Sequence, residues 1–126
     1  MEKTIINANS APKAIGPYSH AVKAGGFVFT SGQIPADPMT GAIVSGGIKE
    51  QAGRVFLNLE AVLKAAGMGF ADVVKTTVFL RDMNDFAAVN EVYASHFTGD
   101  FPARSCIQVA RLPKDADVEI EMVAFR

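Results

Sequence analysis

The sequence predicts a two-layer α+β domain, a sheet covered on one face by two helices, and three observations predict it. Apolar residues recur at helical spacing in two segments. Six shorter segments alternate in polarity or concentrate β-branched and aromatic side chains, as strands do. These segments follow one another in the order β-β-β-α-β-α-β-β. The 126 residues that carry them can enclose one core but not two, so 1–126 reads as a single domain.

Thr4 to Ile6, His20 to Ala24 and Phe27 to Ser31 are the first strands, with Gly25-Gly26 as a tight hairpin turn between the last two. The turn cluster PADPMTG follows. Ile48, Ala52, Val55, Phe56, Leu59, Val62, Leu63 and Ala66 then mark one helix face, and Gly67 sits where a C-terminal cap belongs. DVVKTTVFL, residues 72–80, reads as a strand. Asn84 or Asp85 is placed to cap the second helix, whose inner side carries Phe86, Val89, Tyr93 and Phe97. Two strands finish the chain, Arg104 to Ala110 and Val118 to Phe125, separated by RLPKDAD.

Both faces of this sheet are expected to be apolar. Phe27 and Phe29 alternate with Val28, Thr77 and Phe79 with Val78, and Val123 and Phe125 with Ile120 and Met122. Two helices cover one face only. A second copy of the chain is the simplest cover for the other, which implies an obligate homo-oligomer with its sites at the seams.

Several classes of function are disfavoured. The net charge of −1 is spread without basic runs, so nucleic acid is not an expected partner. MEKTIINANSAPKAIGPYSH lacks the order of a signal peptide, and no apolar run approaches the about 20 residues that cross a bilayer. With Cys106 as the single cysteine, a reducing compartment, the cytoplasm, is expected. His20, His96 and Cys106 show no metal-ligand spacing, and the glycines of AGG, SGG and AAGMG match neither a P-loop nor a dinucleotide fingerprint. Neither metal nor cofactor is expected.

Arg104 and Cys106, two apart on a strand, point to one face. Cys106 fits a small buried hydrophobe, although the neighbouring guanidinium would depress its thiol pKa and leave it reactive. Arg104 must be paired or waiting for an anion. Glu119 and Glu121 offer a cross-strand ion pair; a ligand carboxylate, gripped through two parallel hydrogen bonds, is the other reading.

PARSCIQVARLPKDADVEIEM resembles the signature of the RidA (YjgF/YER057c/UK114) family: Pro-Ala-Arg, an apolar strand and a closing Val/Ile-Glu-Ile/Met. AIGPYS, TSGQIP, DPMTG, AAG, VVKTTVFL and MNDFAAVNEVY also resemble family segments, so the similarity spans nearly the whole chain. The resemblance implies a chorismate-mutase-like fold with a mixed sheet, a homotrimer, and clefts between neighbouring subunits. It further implies 2-iminobutanoate/2-iminopropanoate deaminase activity, the hydrolysis of enamine/imine products of pyridoxal-phosphate-dependent dehydratases to 2-oxo acids and ammonia.

Carried over, the family's carboxylate-gripping arginine falls on Arg104, its tyrosine on Tyr18 and its glutamate on Glu119, with Glu121 also satisfying the closing pattern. Ser31, Gly32, Asn90 and Cys106 map to the pocket lining. Two other functions compete: a trimer that binds small carboxylates as a regulator or chaperone without turnover, and a ribonuclease or translation inhibitor. The second lacks a basic stripe with stacking aromatics.

Overall fold

The computed structural model describes residues 2–126. Among them the elements are β1 (Lys3–Ile6), β2 (Ala21–Ala24), β3 (Phe27–Thr30), α1 (Ile48–Ala65), β4 (Val73–Leu80), α2 (Phe86–Ser95), β5 (Ala103–Gln108) and β6 (Val118–Phe125), in the predicted order. Single 3-10 turns lead into β4, α2 and β6. The strands form one sheet ordered β1-β2-β3-β6-β4-β5. Its neighbours are antiparallel except β4 and β5, which run parallel through the α2 crossover, so the sheet is mixed.

Both helices lie on one face. Val55, Phe56, Leu59, Val62 and Leu63 of α1 are fully buried against Val28, Val78, Leu80, Val118, Ile120 and Met122 of the strands. Each such side chain contributes about 1.5–3 kcal/mol by leaving water, which is why the helical spacing in the sequence was a dependable signal. The helix stops where the glycine stands. Gly67 takes φ +75, its N–H donates to the Lys64 carbonyl, and the Met68 N–H donates to the Leu63 carbonyl. This is a Schellman closure that a side chain would strain.

Two boundaries differ from expectation. A 3-10 turn at Met83–Asp85 precedes α2, so the carboxylate that caps this approach belongs to Asp82, which accepts from the Asn84 N–H at 2.9 Å. Asp85 occupies the N-cap position of α2 without a side-chain cap bond. β5 ends at Gln108 rather than Ala110 because it is an edge strand whose one neighbour, β4, ends at Leu80; the Val109 N–H bond to the Leu80 carbonyl closes the ladder.

The other face of the sheet carries an apolar patch that is uncovered within the chain. Ile5, Phe27, Phe29, Ile107 and Phe125 are between 43% and 49% exposed. The Phe27 and Phe125 rings sit 4.7 Å apart, so the patch is continuous across β3 and β6. Among the described residues no helix is long and apolar enough to cross a membrane.

The polar side chain of Asn58 is sealed in the core. Asn58 is fully buried on α1; its amide donates to the carbonyls of Ile34 (3.1 Å) and Ala36 (3.0 Å) and its oxygen accepts from Arg54 Nε (3.1 Å). The bonds fasten the long loop after β3 to the helix. Asn58→Leu leaves the buried Ala36 carbonyl without its partner, while the Ile34 carbonyl keeps the Ala36 N–H, and is expected to lower the unfolding free energy by about 1–3 kcal/mol. Urea denaturation at one fixed protein concentration measures it, with Leu57→Ala on the exposed side as a control that changes stability by about 0.5 kcal/mol or less.

Candidate functional site

The register between β4 and β5 decides where the arginine points. Thr76 pairs with Arg104 and Val78 with Cys106, so both β5 side chains share the helix-covered face with buried β4 residues. At the sheet edge this face is open beside α2. There Arg104 Nη1 donates to Asn90 Oδ1 at 2.6 Å, and the guanidinium carbon lies 4.9 Å from the Tyr93 ring centre and 5.3 Å from that of Phe86. Polar anchoring and cation–π contact fix the fork without neutralising it. Arg104, Asn90, Tyr93, Ala94, Phe101 and Pro102 line a cavity of about 370 Å³.

Among the described residues Arg104 forms no salt bridge. The cross-strand pair with Glu119 or Glu121 does not exist, for a geometric reason. β4 separates β5 from β6, and Glu119 pairs with Phe79 and Glu121 with Thr77, on the opposite face of the sheet. Cys106 sits behind Arg104, half-buried. Burial pushes its thiol pKa up, and the nearby guanidinium only partly offsets this, so the expected activation of the thiol does not occur.

Glu119 belongs to a second cluster. β3 pairs with β6 through Phe29, breaks away at Thr30, whose hydroxyl takes the Met122 N–H, and returns at Gln33, which exchanges two backbone bonds with Ile120. The resulting bulge carries Ser31 and Gly32 over the Glu119 carboxyl. A Cβ on Gly32 would lie 2.0 Å from Glu119 Oε2, so any side chain here displaces the carboxyl. Burial, then the charge of Glu121, holds the Glu119 pKa above the usual carboxylate range. Ser31 ties the bulge to the preceding loop, its hydroxyl donating to the Ser19 carbonyl (2.7 Å) and its N–H to the His20 carbonyl (2.9 Å). Tyr18, half-exposed, projects from that loop.

Arg104, Asn90 and Cys106 therefore form one group on one face of the sheet, while Glu119, Gly32 and Ser31 form another based on the other face; Tyr18 joins neither group and lines a separate cavity with Ala8, Ile15, His20 and Met39. One chain does not bring the two groups together. The pattern reading missed Phe86 and Tyr93 as partners of the guanidinium. Their 3- and 4-residue spacing with Asn90 was visible, but it read as a core stripe.

The histidines are committed to structure. His20 is buried, accepting the Ala8 N–H at Nδ1 (2.9 Å) and donating from Nε2 to the Pro12 carbonyl (2.7 Å). His96 stacks on Phe56 with ring centres 4.4 Å apart, and burial pushes its pKa down. Among the described residues no group of three His, Cys, Asp or Glu side chains is arranged to hold a metal ion.

The profile of the family described as Endoribonuclease L-PSP matches residues 8–126. Over 129 residues the chain is 53% identical to the 2-iminobutanoate/2-iminopropanoate deaminase of Salmonella typhimurium, covering 100% of this chain and 99% of that one. Its structure superposes on the Rid-family protein YyfA of Yersinia pestis with a TM-score of 0.96 and 45% identity, covering 99% of this chain and 100% of that one. For TdcF of Escherichia coli, solved with bound serine, the TM-score is 0.91 with 49% identity over 98% of each chain. With the arginine strand, the glutamate strand and the glycine bulge all inside the matched span, the chain belongs to the Endoribonuclease L-PSP family, in which the RidA-type imine deaminases are found.

Proposed function

We propose that this protein hydrolyses 2-iminobutanoate and 2-iminopropanoate to the 2-oxo acids and ammonia, in clefts where the Arg104 group of one protomer meets the Glu119 group of its neighbour in a homotrimer. The observation that carries the reading is a guanidinium held by Asn90, Phe86 and Tyr93 at the mouth of a cavity, its charge unpaired and only Nη1 of its fork engaged. The deaminase name of the Salmonella relative and the serine in TdcF point to small carboxylates with nitrogen at C2. The uncovered apolar face supplies the surface on which protomers pack. A cytoplasmic location is part of the reading.

A protonated imine is already electrophilic, so positioning and one base suffice. Arg104 holds the substrate carboxylate. Glu119 removes a proton from water as its oxygen bonds to C2 and the C=N π pair moves to nitrogen. The carbinolamine then collapses: nitrogen takes the proton from Glu119, the C–N bond breaks with its electron pair leaving on ammonia, and the hydroxyl proton passes to solvent water as C2 becomes a carbonyl. Ser31 and Gly32 shape the wall around Glu119, and Tyr18 closes the cleft. Backbone groups near Gly32 and Cys106 orient the nitrogen.

A binding-only trimer would use the same clamp, and Glu119 separates the two readings. A ribonuclease reading gains nothing from the histidines, both engaged in structural contacts.

A dehydratase-coupled assay, following the disappearance of semicarbazide-trappable imine, tests the assignment. Arg104→Lys keeps the charge and loses the fork; kcat/KM is expected to fall about 10- to 100-fold with assembly intact. Unchanged turnover would count decisively against the assignment.

Glu119 acts as a base only when ionised, and its pKa is raised, so kcat/KM should climb with pH along a limb above the ordinary glutamate range. Glu119→Gln should abolish that limb and lower kcat by about 10²- to 10⁴-fold while 2-oxo acids still bind. Cys106→Ala should retain most activity.

Co-refolding equal amounts of Arg104→Lys and Glu119→Gln chains tests the shared cleft. Random assembly restores an intact Arg104–Glu119 pairing at roughly a quarter of the seams, with a matching recovery of activity. A site built within one chain recovers none.

A further inference from the structure

We infer that the buried hydrogen bond between Thr76 and Tyr93 is a positioning device for Arg104, a role that rests on the carboxylate-clamp reading above. The two hydroxyls meet at 2.7 Å. Thr76 is 0% and Tyr93 4% exposed, in a core whose other members at this point, Phe56, Val78 and Val89, are apolar. Packing does not call for the pair: valine and phenylalanine have the same shapes and no hydroxyls to desolvate.

What the bond adds is a fixed relation between α2 and β4 at one place. Thr76 is the register partner of Arg104, so the Tyr93 ring is pinned to the strand residue adjacent to the arginine whose guanidinium it contacts at 4.9 Å. Phe86, Asn90 and Tyr93 follow one another at four and three residues along α2 and all reach Arg104. Asn90 fixes one nitrogen of the fork and the rings fix its plane. With the ring pinned, less side-chain freedom is lost when a carboxylate is gripped. Burial pushes the Tyr93 pKa up, which keeps the phenol neutral beside the cation.

The test is the double variant Thr76→Val/Tyr93→Phe, with Tyr93→Phe alone and Thr76→Ser beside it. Binding of 2-oxobutanoate is read by calorimetry, imine hydrolysis by the coupled assay, and stability by urea. The double variant is expected to unfold at the wild-type urea midpoint and to bind 2-oxobutanoate about 5- to 10-fold more weakly. Its kcat/KM should drop by a similar factor, through KM rather than kcat, as loss of uniform binding does. Tyr93→Phe should show the same shift, and Thr76→Ser, which keeps a hydroxyl, should stay within about twofold of wild type. Wild-type binding and KM in the folded double variant, or equal losses in Thr76→Ser and the double variant, would overturn the inference. Arg104→Lys separates the two levels: if it too leaves 2-oxobutanoate binding unchanged, the clamp itself is refuted; if it weakens binding while Tyr93→Phe does not, only the positioning role falls.

Discussion

Side chains alternate across a sheet, and in the series β6-β4-β5 the register turns that alternation into a separation of charge. Arg104 is aligned with Thr76 and faces the helices, while Glu119 is aligned with Phe79 and faces away. A one-residue slip in either pairing would bring the residues to a common face and let arginine and glutamate approach as an internal ion pair. The register that buries Val78, Leu80, Ile120 and Met122 therefore also keeps the cation and the carboxylate apart. Core packing and site chemistry are set by the same alignment, so neither can be altered without the other.

That separation leaves each half with an unmet requirement. The arginine lacks a counterion, and the carboxyl is half-buried without a cation to stabilise its charged form, which is why its pKa rises. The aromatic face of Phe27, Phe29 and Phe125 is likewise exposed on the Glu119 side of the sheet. In the proposed homotrimer a single packing event between protomers would answer both, removing apolar area from water and presenting arginine to glutamate across a gap for a substrate and a water.

Much of this was legible in the sequence. Helix α1, its glycine stop, all six strands and the double-faced apolar pattern follow from periodicity and turn chemistry, because the core residues answer to burial alone. The partner of Arg104 was not legible. Strand order determines it, and order depends on which strands pair at long range, information that no local window contains. The helical stripe of Phe86, Val89 and Tyr93 gave a correct core assignment for Val89 and an incomplete one for the other two: a residue on the border of core and cleft has the spacing of a packing residue whether or not a cation rests on it. Gly32 presented the same difficulty, since only the position of the Glu119 carboxyl shows that space is required there.

Burial acts on Glu119 and Cys106 in the same direction, raising both pKa values, with opposite consequences for chemistry. For the carboxylate, a pKa above its ordinary range gives a stronger base. For the thiol, a rise from an already high value leaves almost no thiolate, and nucleophilic attack is suppressed. In the proposed intersubunit cleft, desolvation would thus favour water activation and disfavour covalent capture. For an imine this is the useful bias, because a thiol adduct at C2 would trap the electrophile that the enzyme must return as a free 2-oxo acid. The helix-facing register of Cys106, next to Arg104 but behind it, makes the selection in the fold itself.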